Sequence, residues 1–357
     1  PEVRAAIQMT IAMTYRELGR LEEAERLAVS ALETRRRHLG EDHPDVAASL
    51  TELAHIKHDQ GDPVEADRLH REALRRYRAL SGRKAEVALN LDGLASSFID
   101  RGDYERAERL QRESIRLHEE LGDASTRVSR REYADVINNL AISLDYQGQY
   151  EEAEALYRRT LAIERELLGD EHPNVATTLG NLGLLLLDAK GPAAAEPLVR
   201  EALAIRRKVL GDHPATAGSQ SGLGQILGEL GDHEAAVELM SEALEAQRRL
   251  LGNEHAEIGI TLMGLAWQLR WAGRLDEAEA CFRESIAILR DQEGDATPGL
   301  AASVSGLARL LADKGEAAEA EPLFQEACAI DDAFYGPRHW NPSYCRVLQG
   351  AFLSSQA

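Results

Sequence analysis

The sequence predicts an all-α solenoid of eight helical hairpins, closed by one further helix. Three observations carry this. Apolar residues recur at i, i+3, i+4 and i+7 along most of the chain. The pattern repeats with a period near 42 residues. A small residue also returns at the same place in each copy. In the second helix it is Ala24, Ala66, Ala107, Ala153, Ala195, Ala236, Ala278 and Ala320, in steps of 42, 41, 46, 42, 41, 42 and 42. In the first helix it is Ala12, Ala54, Ala95, Ala141, Gly183, Gly224, Ala266 and Ala308, each preceded by Ile or Leu. Small residues let paired helices approach closely, and their larger neighbours fill the space beside them.

Ile137 to Ala176 shows the unit most clearly. Ile137, Leu140, Ala141 and Leu144 form the apolar stripe of a first helix, which Gly148 ends because glycine tolerates positive φ. A second helix is expected from Tyr150 to Leu168. Its inner face should hold Ala153, Leu156, Tyr157, Leu161 and Ile163, with Glu151, Glu152, Arg158, Arg159 and Glu164 in water. Gly169 and His172-Pro173 stop it. The hairpin keeps one apolar face that it cannot bury alone. The hairpins are placed at about residues 4–43, 46–86, 87–124, 133–173, 175–214, 216–256, 258–298 and 300–340, within one solenoid spanning 1–357. Ser343 to Leu353 is expected to cap the last face.

Composition narrows the function. The net charge is −20, which disfavours nucleic acid and anionic membranes and suits a basic partner. No apolar run reaches eighteen residues and no signal peptide is read. Cys281, Cys328 and Cys345 form no framework, so they read as reduced thiols of a cytoplasmic protein. Arg outnumbers Lys 36 to 5, a bias that fits a GC-rich genome.

In chain order, Pro1-Glu2-Val3 resembles Pro44-Asp45-Val46 and Pro173-Asn174-Val175, so the chain reads as cut from a longer protein. Arg35-Arg36-Arg37-His38 is a basic last turn that complements a helix dipole. In the second repeat Lys57 replaces an apolar residue, flanked by His55 and His58. Two His three apart could hold a metal, but no further ligand has readable spacing, so a polar seam is expected. Between the third and fourth repeats the extra residues form a basic loop, Gly122 to Arg131. Lys190-Gly191-Pro192 makes a short turn. The seventh repeat carries Met263, Trp267 and Trp271 at i, i+4 and i+8, with Arg270 beside them and Leu262, Leu265, Ala266 and Leu269 as core.

No phosphate-loop, nucleophile-elbow or H-E-x-x-H motif occurs, so no catalytic residue, cofactor or metal is assigned. His43, His172, His213 and His255 recur at the repeat period, which is a structural signature.

The spacing of small residues and glycines resembles the tetratricopeptide repeat, lengthened by eight residues from the usual 34. With N-N-L-A, E-E-A-E and L-G-x-x-H-P it is similar to the kinesin light chain type, which is also widespread in bacteria. The resemblance implies a right-handed superhelix whose first helices line a concave groove holding peptides or partner segments. The groove-facing Asn pair of that family matches Asn138 and Asn139 and recurs in part as Asn181, while Thr51-Glu52, Asp92-Gly93, Gly222, Gly264 and Gly306 depart from it. The same face carries Asp59, Asp92, Asp100, Asp145, Tyr146 and Asp188. Amides can pair with an extended backbone, and carboxylates favour a basic segment. The family's offsets also turn Trp267 and Trp271 toward the groove, where a pocket formed with Met263 and Arg270 is expected. The competing expectation is that the indoles fill space between the seventh and eighth repeats.

The expected function is a non-catalytic protein-interaction scaffold binding a protein or peptide, as the recognition or regulatory region of a larger multidomain protein. Self-assembly is the alternative and an enzyme the remote one.

Overall fold

The computed structural model describes residues 1–122, 127–294 and 297–335. Among them the chain forms sixteen α-helices and no strand. They fall into two compact units, Pro1–Asp170 and Glu171–Ala357. The first unit holds α1 (Glu2–Glu17), α2 (Leu21–Leu39), α3 (Pro44–Asp59), α4 (Pro63–Ala79), α5 (Lys84–Ile99), α6 (Tyr104–Leu121), α7 (Arg127–Tyr146) and α8 (Tyr150–Leu168). The second holds α9 (Pro173–Lys190), α10 (Pro192–Leu210), α11 (Pro214–Glu229), α12 (His233–Leu251), α13 (Ala256–Trp271), α14 (Leu275–Glu293), α15 (Pro298–Asp313) and α16 (Ala317–Tyr335). Odd and even helices pair as the eight hairpins.

Local chemistry sets the helix ends. Glu151 and Glu152 open α8 and Arg165 lies in its last turn, each on the favourable side of the helix dipole. Gly148 and Gly169 take φ of +73° and +88°, the left-handed region where a side chain would be strained. The periodic histidines are N-caps. Nδ1 of His43, His172, His213 and His255 accepts the backbone N–H of Asp45, Asn174, Ala215 and Glu257 at 3.1–3.3 Å. Pro44, Pro173 and Pro214 follow at the first helical position, where the missing N–H costs nothing.

The small-residue seam is dry. All eight second-helix alanines are fully buried, as are Ala12, Ala54, Ala95, Ala141, Ala266 and Ala308. At Gly183 and Gly224 even a methyl would not fit. An added Cβ would lie 2.6 Å from Val199 Cγ2 and 2.3 Å from Met240 Cγ. Leu262, Leu265, Ala266 and Leu269 are buried as expected.

Some expectations are corrected. Glu164 is buried rather than wet, because it follows Tyr157 and Thr160 on the face that turns inward. Leu156 and Ile163 are only half-buried. Arg127 to Arg131, expected as loop, belong to α7, which begins there. Cys281 is a half-buried free thiol, whereas Cys328 is disulfide-bonded and not the reduced thiol expected. Residues 123–126, Cys345 and the expected cap at 343–353 lie outside the described residues. No described helix is long and apolar enough to cross a membrane.

Ala153 tests the seam. Ala153→Arg drives a long cation into a position with no exposure. A loss of roughly 1–3 kcal/mol or more is expected. An unchanged melting temperature would remove Ala153 from the packed seam.

Candidate functional site

Within Pro1–Asp170, the first helices form a polar cleft of about 220 Å³. It is lined by Arg16, His55, His58, Asp59, His70, Leu89, Asp92, Gly93 and Ser96. Helical spacing explains the gathering. His55, His58 and Asp59 occupy one face of α3, while Asp92 and Ser96 stand four apart on α5. Arg16 Nε reaches from α1 to Glu52 Oε1 at 3.4 Å and Asp59 Oδ2 at 3.8 Å. His58 Nε2 lies 2.9 Å from Asp100 Oδ2. Asn139 Nδ2 donates from α7 to Asp92 Oδ2 at 3.2 Å.

Two groups in this cleft are held away from their ordinary protonation. Burial pushes the His70 imidazole down to about 4, and His55, 5.3 Å away between ring centres, pushes in the same direction. Neutral His70 then donates from Nδ1 to Asn90 Oδ1 at 3.1 Å. The ring lies over Gly93, where a Cβ would sit 2.4 Å from it. Burial also pushes Asp92 up to about 6, against the opposing hydrogen bond from Asn139. Among the described residues, no group of three or more His, Cys, Asp or Glu side chains could hold a metal ion.

The sequence-predicted residues divide between the two units. Asn138 and Asn139 are half-buried on α7, and Asn138 Oδ1 is buried without a hydrogen-bond partner among the described residues. Asp145 is half-buried. Tyr146 is exposed and stacks on Tyr104, ring centres 4.6 Å apart. In Glu171–Ala357, Asn181 is half-buried and Asp188 exposed. Met263 and Trp267 pack against the core of that unit, and Trp267 meets Phe282 edge-on at 5.5 Å. Trp271 is 58% exposed. Arg270 sits beside both indoles, 5.6 Å from the ring of Trp267 and 4.8 Å from that of Trp271. Its Nε donates to Asp313 Oδ2 at 2.7 Å, which holds the guanidinium in place. The two indoles therefore differ: one joins the core and one faces outward.

Sequence reasoning missed Arg16 and His70, and named Glu52 only as a departure from the groove-facing Asn pair. Arg16 and Glu52 lie on first helices, but charges there read as solvated faces. His70 lies on a second helix, and the signal for it was the Gly93 opposite.

The tetratricopeptide repeat family matches residues 3–79, 45–120, 132–208, 189–249, 215–270 and 258–333, and the chain belongs to this family. Putative kinesin light chain nearly identical TPR-like repeats from Podosopora anserina are 27% identical, over 55% of this chain and 93% of that one, with a TM-score of 0.49. A STAND (Signal Transduction ATPase with Numerous Domains) protein with a tetratricopeptide repeat sensor, from Pyrococcus horikoshii, has a TM-score of 0.70 at 17% identity. That match covers 98% of this chain and 49% of the other. The apo form of the quorum sensor NprR from B. thuringiensis has a TM-score of 0.69 at 11% identity, over 92% and 88%. No protein of curated function matches the sequence.

Two measurements follow. Trp267→Ala should lower the melting temperature by several degrees, because the ring packs on the core, whereas Trp271→Ala should leave it within about a degree. Equal losses would show that both indoles are structural. The second measurement concerns Asp92. Its folded value, about 6, lies above the ordinary 3.8. The stability it lends when protonated is thus complete below 3.8 and is lost as pH rises through 6. Asp92→Asn should therefore melt higher than the unsubstituted protein at pH 7.5, with the advantage gone by pH 4. His70, whose folded value is depressed, makes both proteins lose stability as pH falls from 6.5 toward 4, and so cancels in the comparison. A pH-independent difference would place Asp92 in water.

Proposed function

We propose that the chain is a non-catalytic protein-interaction scaffold whose first helices in Pro1–Asp170 hold a peptide or partner segment bearing a basic side chain. The observation that carries this is the charge of the cleft. Glu52, Asp59, Asp92 and Asp100 converge there, against one guanidinium, Arg16. A cationic side chain entering beside Asp92 would relieve the penalty that burial imposes on its carboxylate. Asn138 and Asn139 offer amides to the backbone of such a segment. The recurrent histidines, as helix caps, supply no catalytic group. In Glu171–Ala357, Trp271 with Arg270 offers a separate apolar contact.

The likeness in fold to a protein with a tetratricopeptide repeat sensor supports a recognition or regulatory role within a larger protein. Self-assembly has one observation in its favour. Val3, Ile7 and Ile11, spaced by one turn along α1, are 73%, 55% and 40% exposed, a stripe that a second copy could cover. Light scattering across a concentration series distinguishes the two.

The test is a fluorescence-anisotropy screen of Arg- and Lys-bearing peptides against the protein. Binding should weaken as salt rises, because exposed ion pairs are screened over about 8 Å at physiological strength. Asp92→Asn should weaken it by roughly fivefold or more, about 1 kcal/mol. Salt-insensitive binding abolished by Trp271→Ala would replace the cleft with the apolar contact.

A further inference from the structure

A second concavity in Pro1–Asp170 has the opposite charge. It measures about 450 Å³ and lies between α4, the end of α5 and the start of α6. Four guanidiniums line it, from Arg71, Arg101, Arg106 and Arg109, with a single carboxylate, Asp67. Phe98 forms its floor. Arg101, Arg71 and Arg106 lie over that ring at 4.6, 5.7 and 5.7 Å. Such a cluster in a chain of net charge −20 needs an account.

The arginines are held to different degrees. Arg101 donates from Nε to Ser97 O and from NH2 to Asp67 Oδ2, both at 2.9 Å. Arg71 is also paired with Asp67. Arg106 pairs with Asp103 at 3.0 Å. Arg109 is exposed and makes no ion pair with the described residues. Two carboxylates thus face four guanidiniums, an excess of about two positive charges.

The repeat shows that this is a local reversal. The residue before the second-helix alanine is Glu23, Glu65, Glu152, Glu277 or Glu319 in five repeats, Ala194 or Ala235 in two, and Arg106 here. In the preceding repeat Glu65 pairs at 2.7 Å with Arg68, the counterpart of Arg109. Exchanging that Glu for Arg106 removes Arg109's partner and adds a like charge beside it. The residue six after the first-helix small residue is Leu18, Gln60, Gln147, Ala189, Leu230, Ala272 or Lys314 elsewhere, and Arg101 here. Self-repulsion of this kind costs stability unless a ligand uses it.

We propose that this pocket binds a phosphomonoester dianion, carried by a free small molecule or by a phosphorylated side chain of a partner protein. The excess of two charges matches a dianion. Planar guanidiniums can each offer paired N–H donors to phosphoryl oxygens. The rigid pairing of Arg101 and Arg71 places donors before the ligand arrives, and Arg109 closes on it. The site is separate in residues and in sign of charge from the acidic cleft.

Isothermal titration of the full chain with phenyl phosphate, a phosphoserine peptide and the same peptide bearing glutamate tests this. Saturable binding of a phosphorylated probe is expected, at least tenfold weaker in Arg109→Gln and in Arg101→Gln. The glutamate peptide should bind at least tenfold more weakly than its phosphoserine counterpart. Arg109→Gln breaks no internal pair, so its melting temperature should match the unsubstituted protein and its loss of binding reports the pocket alone. A phosphopeptide at least tenfold tighter than phenyl phosphate identifies a protein-borne source, and equal affinities a free one. The proposal is overturned if the glutamate peptide binds as well as the phosphoserine peptide, if no phosphorylated probe binds, or if Arg109→Gln binds unchanged.

Discussion

The close approach of helices at the small-residue seam is the constraint on which the rest depends. Where Gly183 and Gly224 stand, Val199 and Met240 already occupy the space of a Cβ. Where alanine stands, no surface is left to water. This spacing buries the leucine before each small residue of the first helices, whereas Ile11 in α1 stays exposed. Burial at such positions contributes on the order of 25 cal/mol per Å². A solenoid cannot draw on one large core, so each seam has to be dry by itself.

The charges form a second periodic layer outside the seam. Second helices are linked to the next second helix by Arg36–Glu72, Arg78–Glu113, Arg112–Glu152, Arg207–Glu242, Arg248–Glu284 and Arg290–Glu326. Partners lie 35 to 40 residues apart, one repeat each. Most of these pairs are well exposed, and each is worth about 0–1 kcal/mol. Their larger effect is on register, because a hairpin shifted by one residue would lose most of these pairs. The ladder also accounts for an arginine-rich chain that is acidic overall. Most of its arginines are spent on neighbouring carboxylates and present no basic surface.

The hairpins were legible because their signals are local and repeated. The bounds of α8 follow from Gly148 and Gly169, and the recurrence of His172 and its counterparts marked them as structural before their capping role was visible. Glu164 was misread because hydropathy assigns carboxylates to water. Its position, eleven residues after the alanine, is polar and at least half-buried in Arg35, Tyr77, His118, Arg206, Gln247 and Asp331 as well. That position faces the first helix of the following repeat, as Arg35 shows by donating to Ser49 Oγ at 2.8 Å. The candidate site was legible only in part. Asn139 was singled out, but it meets Asp92 across helices, as His70 meets Asn90, and single-helix periodicity carries no information about such meetings. Trp267 and Trp271 share one helix face by spacing, yet Phe282 draws only the first into the core.

Departures from the repeat are therefore more informative than the repeat itself. Lys57 breaks the apolar rule at its position but is answered at once by Glu25, 2.7 Å away. The break is neutralised inside the seam and needs no ligand. Asp92 and Arg109 are not answered in that way. Asp92 is half-buried with an amide for company, and Arg109 lost its carboxylate to a second arginine. A local rule broken with compensation is structure, whereas one broken without it leaves free energy for a ligand to recover. By that criterion the two uncompensated positions, of opposite sign and on different helices, are the places where the proposed ligands would recover free energy.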